Sequence, residues 1–253
     1  MDLHLKNRVA LVTGGSQGLG KAICLGLAAE GARVAINYRR NPEIADTLVN
    51  EIRDVYNVKA TAVLGSVTSN SNIIDIFNGA EKELGPVDIL INNAAVCPAS
   101  YVKDMTEEEW NSTLQINLTG TFLTCKEMIR RLLSGGRTGR IVNISSIGAF
   151  TGSTSGRVHY DASKGGVISF SISLAREVAR DGISVNVVAP GLMITKMTEE
   201  RIKVRRDSYI SRIPFGRFGE TSEIADAVVF LSSDRASYIT GTTVNVSGGM
   251  LMR

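Results

Sequence analysis

Short apolar runs rich in Val and Ile alternate along this chain with longer segments of mixed polarity. The runs cover 8–12, 33–37, 60–64, 87–91, 140–144, 184–189 and 243–246. Each is mostly apolar on both faces, the pattern of strands buried on both sides of a parallel sheet. Helix-length segments fall between them, at 19–30, 42–56, 70–84, 118–133, 160–180 and 221–232. Their ends are marked: Gly31 follows the first, Pro42 opens the second, and Gly85-Pro86 stops the third. Thr106 and Glu109 read as a capping box ahead of Trp110. Alternating β and α segments imply right-handed crossovers and a doubly wound α/β sheet of seven parallel strands. No repeat or linker interrupts 1–253, which reads as one domain. After Pro190-Gly191 about thirty residues pass without a strand. The stretch 193–219 reads as a lid, since open α/β sheets bind ligands at the carboxyl ends of their strands.

Composition narrows the class. Of 253 residues, 43 % are hydrophobic and 21 % charged, which excludes a disordered chain. The net charge of +3 is too small to argue for nucleic acid. No run of about 18 apolar residues is present, and Met1–Arg8 lacks the apolar stretch of a secretory signal. Cys24, Cys97 and Cys125 have no metal-ligand spacing, and two histidines make a zinc site improbable. The expectation is a cytoplasmic protein with reduced cysteines, no bound metal, no membrane span and no nucleic-acid partner.

The first strand runs into Thr13-Gly14-Gly15-Ser16-Gln17-Gly18-Leu19-Gly20 and then a helix. Glycines permit positive φ and close backbone approach, and the free N–H groups of the helix suit a pyrophosphate. The second strand ends in Asn37-Tyr38-Arg39-Arg40. It offers no carboxylate for ribose hydroxyls, and two guanidiniums match a 2′-phosphate instead. NADP(H) is the expected cofactor. The alternative is that Arg39 and Arg40 only solvate the loop.

Ile141–Ser146 ends a strand, and Tyr160 and Lys164 follow at i, i+4 spacing. On a helix these two share a face, about 5–6 Å apart at Cβ. An ammonium beside a phenol favours the phenolate, so Lys164 is expected to lower the Tyr160 pKa and suit it to proton transfer. A serine hydroxyl at the strand end can donate to the same carbonyl oxygen.

With these residues in view, the chain resembles the short-chain dehydrogenase/reductase family over essentially its whole length. The resemblance is carried by Thr13-Gly14 with Gly18-Leu19-Gly20, by Asn92-Asn93-Ala94-Ala95, by Asn117, Ser146, Tyr160 and Lys164, and by Pro190-Gly191 with Thr195. It implies a Rossmann-type sheet of order 3-2-1-4-5-6-7. It also implies that Tyr160 is the general acid/base, that Lys164 holds the nicotinamide ribose, and that Ser146 polarises the carbonyl while Ser145 is structural. Asn117 would anchor a water for proton return, Thr195 would meet the carboxamide, and Ser16, Gln17, Ser66, Val67, Asn93, Ala94 and Ala95 would border the cofactor. The family usually has thirteen residues from this serine to the tyrosine; here there are fourteen, an extra residue within 150–157. Where the family often has an acid for adenine, this chain has Ser66-Val67-Thr68.

Within the family the chain is most similar to 3-oxoacyl-carrier-protein reductases, through 173–179 and 223–250. This implies reduction of a carrier-linked 3-oxoacyl thioester in fatty acid biosynthesis, and a homotetramer joined through the helices at 118–133 and 160–180. A sugar, polyol or ketone dehydrogenase is the alternative, and a nucleotide-sensing protein on the same fold is a further one. The stretch 193–219 carries Lys196, Arg201, Lys203, Arg205, Arg206, Arg212 and Arg217 against Glu199, Glu200 and Asp207, a local net of +4. Such a basic rim attracts an acidic carrier or a phosphate-bearing thioester. Arg137 stands where these reductases keep a docking arginine; the second falls at Asp181, with Arg180 one position before. Cys97, Pro98, Ile147, Leu192 and Met193 are expected in the pocket wall. His159, beside Tyr160, is expected to point to solvent or a neighbouring subunit.

Overall fold

The computed structural model describes 1–196 and 198–252, with the backbone alone at Glu200 and Arg201. The apolar runs form β1 (Val9–Val12), β2 (Arg33–Tyr38), β3 (Ala60–Leu64), β4 (Ile89–Asn92), β5 (Gly139–Ile144), β6 (Ile183–Pro190) and β7 (Thr243–Val246). They pair in parallel in the order 3-2-1-4-5-6-7. The helices are α1 (Gly18–Ala29), α2 (Pro42–Tyr56), α3 (Asn70–Leu84), α4 (Glu107–Leu114), α5 (Gly120–Ser134), α6 (Gly148–Thr151), α7 (Val158–Val178), α8 (Glu199–Ile210) and α9 (Thr221–Leu231).

Strand alternation splits the core into two layers. Ala10 and Val12 of β1 join Ile23 and Leu27 of α1, Leu48 and Ile52 of α2, and Ile224 and Val228 of α9. Val9 and Leu11 face the other way, onto Ile76 and Phe77 of α3, Met128 and Leu132 of α5, and Leu174 and Val178 of α7. This is why the strands read as apolar on both faces. No helix among the described residues is long and apolar enough to cross a membrane.

Three elements differ from the pattern in the sequence. Helix α5 begins at Gly120 because Gln115–Thr119 form a π-helical turn continuous with α4. Strand β4 begins at Ile89, since Asp88 turns its carboxylate to the Val9 N–H at 2.9 Å. The stretch 193–219 contains α8, and its ends meet in a bridge between Met193 and Gly219. Ile202, Ile213 and Phe218 form a third, separate apolar cluster there.

A buried polar chain ties the second core layer to the sheet. Asn92 Nδ2 donates to Asn143 Oδ1 at 2.8 Å, and Thr124 Oγ1 donates to Asn92 Oδ1 at 2.6 Å. Asn143 Nδ2 donates to Ser171 Oγ at 2.8 Å, so β4, β5, α5 and α7 share one network. Buried donors without partners are expensive. Asn143→Leu, alike in branching but without polar atoms, is expected to destabilise the fold by about 1–3 kcal/mol. Urea unfolding would show this as a lower midpoint with an unchanged slope.

Candidate active site

The carboxyl ends of β1 and β4 lie side by side where the strand order reverses. The Thr13 hydroxyl accepts from the Asn93 and Ala94 N–H groups at 3.0 and 3.1 Å. Asn93 Nδ2 donates to the Thr13 and Gly14 carbonyls, both at 3.0 Å. Asn93 therefore clamps the glycine turn as well as bordering the cleft. Gly14 has φ +60°, and a Cβ there would come within 3.0 Å of Ala94 Cα. At Gly20 a Cβ would strike the Gly14 carbonyl oxygen, so α1 can start this close to the turn only with glycine. Its N-cap, Gln17, makes no side-chain cap, which leaves backbone N–H groups directed at the cleft.

Asn37 joins this turn from β2. It is buried, with Oδ1 accepting from Gly14 N at 3.3 Å and Nδ2 donating to the Val63 and Gly65 carbonyls at 3.2 and 3.0 Å. Its role was not expected from the sequence, where it appeared only as the start of the arginine pair; a lone Asn in an apolar strand was the available signal. Arg39 and Arg40 beyond it are exposed and make no ion pair among the described residues. The Ser66 hydroxyl is engaged with Thr68, Oγ to Oγ1, at 2.9 Å.

Ser145 donates through Oγ to the Lys164 carbonyl at 2.8 Å and is structural. Ser146 Oγ accepts from Gly148 N at 3.1 Å and hydrogen-bonds the Tyr160 hydroxyl. Lys164 Nζ donates to the Ile144 carbonyl at 2.7 Å and lies 5.9 Å from the Tyr160 ring centroid. Asn117 sits in the π turn, fully buried: Oδ1 accepts from Val96 N, and Nδ2 donates to the Val96 carbonyl and to Ser163 Oγ, at 2.9, 2.9 and 3.0 Å. Ser163 Oγ donates in turn to the Tyr160 carbonyl at 2.7 Å. Asn117 thus fixes the backbone beneath Tyr160, and π turns recur at functional sites.

The electrostatics correct one expectation. Burial raises the Tyr160 pKa above the ordinary tyrosine value, against the lowering pull of the Ser146 hydrogen bond and Arg157. Burial also lowers that of Lys164, from 10.5 to about 8. Lys164 was expected to lower the phenol's pKa, but its ammonium is turned to Ile144 O, and desolvation outweighs it.

A cleft of about 1090 Å³ gathers the expected residues. Gly14, Ser16, Gln17, Gly18, Leu19, Gly20, Tyr38, Arg39, Arg40, Ser66, Val67, Asn93, Ala94 and Ala95 line one part; Cys97, Ser146, Ile147, Tyr160, Lys164, Pro190, Gly191, Leu192, Met193 and Thr195 line the rest. Asn117 lies behind the wall. Pro98 is exposed and outside it, because the chain leaves the cleft after Cys97. His159 is wholly buried within the chain, neither ring nitrogen having a partner; it does not point to solvent or to a neighbouring subunit. A helix places it away from Tyr160's face and, in this fold, inward.

Residues not expected in the wall are Arg157, Asp161 and, from the stretch 193–219, Thr198, Ser208 and Tyr209. Among the described residues that stretch contributes Lys196, Arg205 and Arg212 to the cleft. Arg217 pairs with Glu223 at 2.7 Å, Arg206 stacks on Phe218, and Lys203 pairs with Glu199 at 3.0 Å. The side chains of Arg201 and Glu200, and all of Met197, lie outside the described residues. Arg137 donates to the Val87 carbonyl at 3.0 Å and lies 3.7 Å from Asp88, at the sheet end opposite the cleft. Arg180 precedes β6 at that same end.

Between pH 8 and 10.5 the unfolded chain holds the Lys164 proton that the folded chain has released, so this group makes the fold more stable as pH rises through that window. Lys164→Met is expected to be more stable than the parent at neutral pH, with the gap closing toward pH 10. Melting temperatures of the two proteins across that range check this; a pH-independent gap contradicts it.

Comparison with known proteins gives one consistent result. The family described as Enoyl-(Acyl carrier protein) reductase matches residues 14–251. The 3-oxoacyl-(acyl-carrier-protein) reductase FabG of Escherichia coli strain K12 is 40 % identical over 250 residues, 99 % of this chain and 100 % of that one. FabG of Staphylococcus epidermidis strain RP62A is 39 % identical over 246 residues, 97 % of this chain and 100 % of that one. The crystal structure of gox2181 superposes with a TM-score of 0.92 at 35 % identity, over 98 % of this chain and 97 % of the other. The strand order, the clamped glycine turn and these matches agree that the chain belongs to the short-chain dehydrogenase/reductase family of oxidoreductases.

Proposed function

We propose that the protein is an NADP(H)-dependent reductase that converts a carbonyl to a secondary alcohol. The observation that carries this is the meeting of the Ser146 and Tyr160 hydroxyls, backed by buried Lys164, in the same cleft as the glycine turn. The residues fit a dinucleotide: α1 presents free N–H groups, and Arg39 and Arg40 offer an unpaired fork to a 2′-phosphate. When bound, the reduced nicotinamide supplies a hydride.

The chain's own residues handle the oxygen. Ser146 donates a hydrogen bond to the carbonyl oxygen as negative charge develops there. Tyr160 then gives that oxygen its proton, so the alcohol leaves neutral and the phenolate remains. A raised pKa suits Tyr160 to being protonated at neutral pH before the reaction. Lys164 stands beside Tyr160 and would hold the nicotinamide ribose. Asn117 would anchor a water for proton return, and Thr195, across from Gly18, would meet the carboxamide.

The relatives' names support a carrier-linked 3-oxoacyl thioester as the substrate class. Docking through Arg137 and Arg180 of the same chain gains no support from geometry, since both stand at the far end of the sheet. The alternative is a sugar, polyol or other ketone dehydrogenase, favoured by the same feature. A single domain with 193–219 as its lid, and a cytoplasmic homotetramer through α5 and α7, complete the proposal. The outward Phe122, Leu133, Val158 and Ile172 of those helices are exposed apolar groups that a partner helix pair would cover.

NADPH oxidation with an acetoacetyl thioester, followed by absorbance with NADH in parallel, tests the reading. Tyr160→Phe is expected to lower turnover at least a thousandfold and leave NADPH affinity unchanged; unimpaired turnover contradicts the mechanism. Arg39→Ser with Arg40→Ser is expected to weaken NADPH about tenfold or more and leave NADH nearly untouched, measured by fluorescence titration.

A further inference from the structure

Among the described residues the cleft wall carries seven cationic side chains and a single carboxylate, Asp161. The whole chain is only +3. The excess is therefore local and faces whatever binds there. Arg39 and Arg40 answer the cofactor's extra phosphate, and Lys164 serves the tyrosine. Four remain: Lys196, Arg205 and Arg212 from the stretch 193–219, and Arg157, whose charge bears directly on the Tyr160 phenol.

Arg157 is presented by a built loop. It is the N-cap residue of α7, three positions before Tyr160. Gly156 before it has φ +66° and lies against Ser100, whose N–H donates to the Gly156 carbonyl at 2.8 Å. A Cβ at Gly156 would press on the Ser100 carbonyl carbon at 3.0 Å, so glycine sets this approach. Arg157 Nε donates to Ser155 Oγ at 2.9 Å, which orients the guanidinium. No carboxylate lies within ion-pair distance of it among the described residues.

We propose that Arg157 is a specificity-determining residue that receives a carboxylate of the substrate, so that the carbonyl held by Ser146 and Tyr160 belongs to a short oxo acid. The inference rests on the carbonyl-reductase reading and not on the thioester one. A planar fork with one nitrogen already fixed matches a carboxylate. Its place three residues before Tyr160, near enough for its charge to bear on the phenol, sets that carboxylate on the same side of the cleft as the carbonyl. The phosphate of a carrier's pantetheine arm lies at the far end of a long tether and does not suit this position. Arg205 and Arg212, on α8 and just after it, add positive potential over the same part of the wall.

The test is calorimetric titration of the protein–NADP⁺ complex, in which no reduction runs. Pyruvate, acetoacetate and levulinate are each compared with their methyl esters. At least one acid is expected to bind about tenfold or more tightly than its ester, as a charge-assisted hydrogen bond gives. Arg157→Gln is expected to bring that pair to parity with NADP⁺ affinity retained, and Arg157→Lys to restore part of the preference. Equal binding of every acid and ester, or a preference that survives Arg157→Gln, overturns the proposal. NADPH oxidation with the same six compounds reads the reductase function separately. Turnover without acid preference removes the inference alone, and acid preference without any turnover removes the reductase reading alone.

Discussion

The structure depends on a small set of hydrogen bonds where β1 meets β4. Thr13 and Asn93 hold each other's backbones across the point at which the strand order reverses. Helices leave the sheet there on opposite faces, and a crevice opens between them. The clamp fixes the width of that crevice, because the Gly14 backbone rests directly on Ala94. Asn37 ties the next strand to the same turn. The backbone of the glycine turn is thus held from both sides, and preorganised donors suffer little reorganisation on binding.

The catalytic half has a different foundation. Lys164 is an ammonium in the interior, tolerated through one carbonyl of β5. Tyr160 is placed by a relay running from Val96 through Asn117 and Ser163 to its own backbone. Burial moves the two titrations apart, the phenol up and the amine down. In this state both protons stay in place near neutral pH, with Tyr160 set as a donor.

Much of this was legible in the chain. Strands buried on both faces announce themselves by runs rich in Val, and β1 and β6 fall where that pattern puts them, while the edge strands β3 and β7 are only partly buried. That Ser146, Tyr160 and Lys164 meet in one cleft follows from residue type and spacing. What stayed hidden depends on distant parts of the chain. His159 looked like a surface group because only its neighbour along the chain was visible; the packing that buries it is tertiary. The basic stretch 193–219 looked like one charged rim, yet Glu223 and Phe218 occupy two of its cations. The direction of the Tyr160 shift was misjudged because desolvation is a property of the closed wall and not of the Tyr-Lys spacing. The π turn under Asn117 has no signature in a propensity scale.

The small cluster of Ile202, Ile213 and Phe218 has a consequence for how such an enzyme diversifies. It is separate from the two layers that hold the sheet, and it draws in Met250 and a contact from Phe215 N to the Gly248 carbonyl. The stretch 193–219 and the tail after β7 therefore form an interchangeable cassette with a hydrophobic centre of its own. Swapping both together, with Thr195 kept, would recast the wall facing the substrate and leave the clamped glycine turn untouched. Swapping either alone would strand half of that centre in water. Divergence in what is reduced can accumulate in two distant stretches of sequence that must vary in concert, on a scaffold that does not vary with them.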